Sequence, residues 1–239
     1  MTTEAPPFAP TARTTFGRKA MRGAHDRASI DAVLDAAMIC QIGYVVDGQP
    51  RVLPTIYWRD GDFVYWHGSR AAGPARTMAG EEVCFTVTLL DALVLATSAF
   101  AHSANYRSVM AFGRAEEVTA EAQKATALKA MIDRIYPGRW SQIRPPTRAE
   151  LAATAVFRLA LTEASAKGRT GPPLDIKPHP KAPAWTGIIP LKMQAGDPEL
   201  AGVLEPQAEW PRPRSGWWGD FFRSSRRRPG SRTSRRIRW

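Results

Sequence analysis

Four short stretches carry the residue types that chemistry needs. His67-Gly68-Ser69-Arg70 sets an imidazole, a hydroxyl and a guanidinium around a glycine. Glycine lets backbone approach a ligand closely, and Ser and Arg donate to phosphate oxygens, so the run reads as an anion cradle. The same residues also make a plain turn at a strand end. His102-Ser103-Ala104-Asn105-Tyr106-Arg107-Ser108 places six polar side chains in seven residues ahead of an apolar run. Asn105, Arg107 and Ser108 can donate to a polar ligand and Tyr106 can stack on a ring; alternatively the group is a barrel-rim loop whose polar groups satisfy one another. Lys167-Gly168-Arg169-Thr170-Gly171-Pro172-Pro173 is a cationic, glycine-containing turn closing a strand. Trp185, between Pro183 and Gly187, either caps a core or walls a flat ligand.

Other chemistries lack their signatures. Asp60 and Asp62 flank a turn glycine and Glu81-Glu82 follow a helix, so no carboxylate pair is set up for acid–base work. There is no phosphate-binding GxxxxGK[ST], no GxGxxG and no GxSxG nucleophile turn. His25, His67, His102 and His179 have no HxxxH or HExxH spacing, so no metal site is expected. Cys40 and Cys84 lie in apolar runs without a CxxC, which fits a reducing cytoplasm rather than a disulfide scaffold. The N-terminus has no signal-like apolar segment, and the apolar runs are too short to span a bilayer.

The elements that must position these residues are mostly strands. Residues 29–37 form a helix with Ile30, Val33 and Leu34 on one face and Ser29 as its cap. Strands are expected over 38–46 and 51–58, joined at Asp47-Gly48, and over 63–67 after Asp60-Gly61. A short helix over 71–80 is broken by Gly73-Pro74, and strands follow over 83–89, 93–98 and 106–118. The long amphipathic helix is 120–135, with Leu128, Met131, Ile132 and Ile135 inward. Thr147 and Glu150 form a capping box before a short helix, and 155–163 is the final strand. Six or seven short strands with few helices argue for a mainly β, antiparallel barrel.

The charge is unevenly spread. The chain of 239 residues has 33 Lys and Arg against 22 Asp and Glu, a net of +11. Residues 211–239 hold ten Arg and one acid, a net of +9, leaving +2 for the first 210. Three regions follow: an arm over 1–28, a domain over 29–204 and a basic tail over 205–239. The tail, rich in Arg, Ser, Pro, Gly and Trp, cannot build a core and is expected to be disordered. Its alternatives are an anionic partner, nucleic acid or a membrane surface, bound through Trp217, Trp218, Phe221, Phe222 and Arg226–Arg228, or an out-of-frame product of GC-rich DNA.

Taken in order, several segments resemble the flavin-nucleotide-binding branch of the pyridoxamine 5′-phosphate oxidase-like superfamily, which includes nitroimidazole-resistance proteins. They are Asp47-Gly48-Gln49-Pro50-Arg51-Val52-Leu53-Pro54-Thr55, Tyr65-Trp66-His67-Gly68-Ser69, residues 98–102, Asn105-Tyr106-Arg107-Ser108-Val109, Pro137-Gly138-Arg139-Trp140, 166–173 and 185–190. The resemblance spans about 14–204. It implies a split β-barrel with Greek-key-like connections, a homodimer, and FMN in grooves at the subunit interface, with deazaflavin or haem as alternative planar cofactors. It also implies an oxidoreductase acting on a small molecule. By the same resemblance Arg51, Pro54 and Thr55 run beside the flavin ring, and His67, Ser69 and Arg70 lie near the ribityl chain and phosphate. Asn105, Tyr106, Arg107, Ser108, Lys167, Arg169 and Trp185 complete the pocket. His67 is the candidate catalytic residue, donating a proton or holding an anionic group. Two departures stand out: Ala104 where the family often has Met, and few cations after Ser69, leaving Arg70 and Arg76.

Overall fold

The computed structural model describes residues 7–174 and 184–196. The chain divides into two units, 1–191 and 192–239, and only residues 192–196 of the second are described. The expected boundary at 204, the basic tail and His179 lie outside the described residues.

Helix α1, Arg27–Ala36, buries Ile30, Val33 and Leu34, as the spacing predicts. Its cap is Asp26 and not Ser29: the Asp26 carboxylate accepts the Ser29 N–H at 2.8 Å, so the helix begins two residues before the expected start. The first hairpin pairs β2, Ile39–Val46, with β3, Gln49–Asp60. Asp47 (φ 52°) and Gly48 (φ 73°) both adopt the left-handed conformation, the pair of angles that keeps a two-residue hairpin in step with strand twist. Strand β4, Phe63–Ser69, follows a second turn at Gly61.

Three expectations are corrected beyond this point. Gly73-Pro74 starts α2, Gly73–Thr77, because proline suits the first helical turn, where its missing N–H goes unused. The two strands expected over 83–98 are one, β5, Glu82–Leu95, with a register shift between Leu90 and Ala92 absorbing the break. The final strand is a hairpin of β8, Thr154–Ala160, and β9, Glu163–Arg169. Its turn, Leu161-Thr162, has none of the Gly, Pro, Asn or Asp that marks turns in sequence, and Leu161 is itself buried. Strand β6, Ser103–Arg114, leads through β7, Glu116–Glu117, into α3, Glu121–Ile135. The Thr147–Glu150 capping box is present and starts α4, Arg148–Ala153. Strands β1, Gly23–Ala24, and β10, Gly187–Pro190, were not read from the sequence.

All ten strands join one antiparallel sheet in the order β1-β9-β6-β5-β2-β3-β4-β8-β7, with β10 added to β5. The sheet curls into a half-barrel. Its inner face buries Ile42, Phe85, Val87, Val109 and Ala111 against α1, together with Tyr57, Val64 and Trp66. Each large side chain buried there contributes about 1.5–3 kcal/mol. Tyr57 crosses the core edge-on to Phe85, and its hydroxyl donates to the Leu34 carbonyl at 2.6 Å, fixing α1 inside the curl. On the other face α3 packs Ala127 and Met131, with Leu128, Ile132 and Ile135, over Trp58, Tyr65 and Val156. Lys124 is buried on α3 and donates to the Leu151 and Thr154 carbonyls at 3.2 and 2.8 Å, closing the end of α4.

The Asp26 cap yields a stability test. The Ser29 N–H holds the Asp26 carboxyl below its ordinary value of 3.8. A depressed carboxyl stabilises the fold above the unfolded pKa, and that contribution is lost as pH falls through the lower folded value. Asp26→Ala is expected to cost about 1 kcal/mol at neutral pH in urea unfolding, with the gap to wild type closing below pH 3.8.

Candidate functional site

Side chains alternate along each strand, so residues paired in register share a face. On the outer face, away from the barrel core, Pro54 sits opposite Gln41, Ser108 opposite Thr88 and Lys167, and Tyr106 opposite Leu90 and Arg169. His67 is on this face too, beside Trp58 with ring centroids 6.2 Å apart. The face is covered at both ends. At one end lies α3; at the other lies the N-terminal arm, where Arg13 stacks over Phe112 at 4.8 Å and bonds Glu82 and Glu163. Between them Ile39, Val45, Val52, Leu90 and Met110 stand exposed, Val52 by 67%. Arg51 and Thr55 alternate with Pro54 on β3 and so point to its other side; Arg51 is exposed at the strand end.

The His67-Gly68-Ser69-Arg70 run is strand, not a free turn, through Ser69, which pairs with Thr154 of β8. The Ser69 hydroxyl accepts the Ala71 N–H at 3.3 Å, and the Arg70 guanidinium is bonded to Glu117. The Arg70 guanidinium is thus paired with an acid of the chain, while the Ser69 hydroxyl accepts an N–H and keeps its own O–H to donate. His67 differs: it is half-buried, burial pushes its pKa down, and its Nδ1 is buried without a hydrogen-bond partner. Its imidazole is accordingly neutral near pH 7, with a lone pair to offer.

The stretch beginning at His102 is strand from Ser103 onward, three residues before the strand start expected at Tyr106, so the rim-loop alternative does not hold for it. Pairing with β5 absorbs its backbone polarity. Arg107 forms a two-pronged ion pair with Asp91 at 2.8 and 2.9 Å, and Ser108 donates to the Lys167 carbonyl at 3.1 Å. His102 is exposed, with Nδ1 2.9 Å from the Ser98 carbonyl. Asn105 is buried and accepts from Arg169. Arg169 is only 6% exposed and donates further to the Gly171 and Pro172 carbonyls at 3.2 and 3.0 Å. These partners are neutral, so among the described residues a full positive charge is buried with no carboxylate beside it. Trp185 remains 62% exposed, its ring lying where a Cβ on Gly187 would stand, 2.6 Å away.

The sequence reading missed the N-terminal half of this region. Strand β1 pairs Gly23 with Lys167, and the single 3-10 turn before it, Ala20–Arg22, brings Arg18, Lys19 and Arg22 near Lys167 and Arg169. The Lys19 ammonium is pushed down chiefly by Arg22, with burial, Arg18, Arg169 and Lys167 adding to it. The only sequence signal was the run Arg18-Lys19 with Arg22, inside a segment read as an arm.

This curled antiparallel sheet, with a helix in its concave face, defines a split-barrel protein. The sequence profile of the pyridoxamine 5′-phosphate oxidase family matches residues 26–168, and the chain belongs to that family. No curated protein matches it. Among solved structures it is similar to the flavocytochrome Anf3 from Azotobacter vinelandii, 42% identical over 86% of this chain and 96% of that one, with a TM-score of 0.79. A FAD- and haem-binding protein from Mycobacterium smegmatis is 35% identical over 80% of this chain and 94% of its own, TM-score 0.74. A Bacteroides thetaiotaomicron protein named for 5-nitroimidazole antibiotic resistance shares the fold, at 21% identity, 61% and 86% coverage and a TM-score of 0.51.

The Asn105–Arg169 contact can be tested directly. Asn105→Ala leaves one N–H of a buried guanidinium without its acceptor, at an expected cost of about 1–3 kcal/mol in urea unfolding. An unchanged midpoint would mean that the buried charge does not depend on Asn105.

Proposed function

We propose that this protein is a homodimeric redox protein that binds a flavin and a haem. The observation that carries this reading is the 42% identity, over nearly the whole of both chains, to a protein that is a flavocytochrome. The FAD- and haem-binding relative points the same way and favours the dinucleotide over the FMN that the resemblance implies. Deazaflavin, the other planar alternative, is distinguished by its spectrum.

The residues present fit both groups. A flavin nucleotide carries phosphate, and Arg169 is a buried cation with no carboxylate to balance it among the described residues, with Lys167 two residues away. A haem iron needs a neutral imidazole, and His67 is half-buried, neutral and next to Trp58 and Tyr65. A bound flavin supplies hydride and single-electron transfer, while the protein binds, orients and shields. In this reading Lys167 and Arg169 hold the phosphate end. Pro54, Tyr106 and Ser108 line the outer face on which the ring lies. The exposed strip of Ile39, Val45, Val52, Leu90 and Met110 is covered by a second copy, because a patch of this kind on a sheet face marks an interface. Cys40 and Cys84 are free thiols, in keeping with a reducing cytoplasm. The substrate is a small molecule accepting or giving electrons. Among the described residues no helix is long and apolar enough to cross a membrane.

The full-length protein is expected to purify with flavin absorbance and a Soret band, and to release a flavin on denaturation. Colourless protein that takes up neither added flavin nor haem would contradict the reading. His67→Ala is expected to lose the Soret band and keep the flavin. If the band persists, His67 does not hold the haem, and His102, whose Nδ1 lies 2.9 Å from the Ser98 carbonyl, would be the imidazole to hold it.

A further inference from the structure

Most arginines of the described body are balanced by acids. Arg13 meets Glu82 and Glu163, Arg27 meets Asp31, Arg59 meets Asp35, Arg70 meets Glu117, and Arg107 meets Asp91. The same holds for Arg144 with Glu150 and Arg158 with Glu116. Five cations at one corner of the sheet break this pattern. Arg18, Lys19, Arg22, Lys167 and Arg169 have no carboxylate within ion-pair distance among the described residues, and each of the other four acts on Lys19 to disfavour its charge. Arg51, Arg76 and Arg139 also lack acids among the described residues, but none of them acts on Lys19.

Backbone structure forces the five together. The β1–β9 pairing fixes Gly23 opposite Lys167, and Phe16 lies so close to Gly23 that a Cβ there would sit 2.1 Å from its ring. The same Phe16 ring receives the Lys167 ammonium at 5.6 Å. Lys19 itself is held in the left-handed conformation, φ 58° and ψ 47°, unusual for a residue other than glycine. Arg169 anchors the group from beneath, nine-tenths buried and braced by Asn105 and two carbonyls. A buried cation without a counter-ion is costly, and like charges gathered round it add to the cost, so the arrangement favours an anion that the described residues do not include.

Resting on the flavin reading above, we propose that Arg18, Lys19, Arg22, Lys167 and Arg169 form the site for the diphosphate of a flavin dinucleotide. The phosphate of a flavin mononucleotide and the diphosphate of a dinucleotide both carry about two negative charges, but the diphosphate spreads its charge and its acceptor oxygens over two phosphorus centres; cations spread from an exposed rim to a buried anchor match that longer group. The N-terminal segment is then a part of the cofactor site, clamped over β9, and the choice of FAD over FMN lies in residues 18–22.

The test uses flavin-stripped full-length protein and the double variant Lys19→Gln, Arg22→Gln, whose targets lie on the surface; far-UV circular dichroism checks the fold. FAD, FMN and inorganic pyrophosphate are titrated separately, by flavin fluorescence and calorimetry. The site requires a Kd for FAD at least about tenfold weaker in the variant, an FMN Kd changed by less than about threefold, and loss of pyrophosphate binding. FAD affinity that ignores the double substitution would overturn the proposal, as would equal weakening of FAD and FMN. If wild type binds neither flavin, the flavin reading fails and pyrophosphate decides the site on its own. Pyrophosphate bound by wild type and lost in the variant upholds a diphosphate site; no binding removes it.

Discussion

A curled sheet has two faces, and one hydrophobic core can close only one of them. Here the concave face is finished from within: α1 enters the curl, Tyr57 ties it to the Leu34 carbonyl, and Phe85, Val87, Val109 and Trp66 fill the space. The convex face is finished only at its ends. Trp58 and Tyr65, stacked with centroids 5.7 Å apart, lie beneath α3, and Phe112 lies beneath Arg13 of the arm. The middle is left as an exposed strip of β2, β3, β5 and β6. Every functional proposal made for this chain depends on what completes that face.

Charge follows the same division. Most arginines among the described residues are paired with acids, some in two-pronged contacts such as Arg107 with Asp91. Where the outer face runs out at the end of β9, pairing stops among the described residues, and a buried Arg169 meets only neutral acceptors there. The net of +11 over the whole sequence hides this, because its largest part belongs to residues 211–239. The five cations gathered at that corner are few, but their placement carries more information than the basic run in the sequence at 211–239.

Much of the fold was legible because its signals are local. Asp47-Gly48 fixed a hairpin through two left-handed residues, the Thr147–Glu150 box fixed a helix start, and the 3.6-residue spacing of Leu128, Met131, Ile132 and Ile135 fixed the face of α3. The misreadings have local causes too. Leu161-Thr162 turns a hairpin without turn residues, and β5 runs on through its irregularity at Leu90. The strand expected from Tyr106 in fact starts at Ser103, because the partners of this polar stretch, Asp91 and the backbone of β9, are distant in sequence. The candidate site was legible in part. Lys167 and Arg169 were singled out, but Arg18, Lys19 and Arg22 were not, since only the two-residue β1 strand brings them alongside, and no composition or motif announces a strand that short.

Sedimentation of the full-length protein tests most directly whether the open outer face is where a second copy and the cofactor meet. The account requires wild type to sediment as a dimer with flavin bound, and Val52→Arg with Leu90→Arg to yield folded monomer that has lost its flavin in the same step. Wild type that sediments as a monomer while retaining its flavin would contradict it.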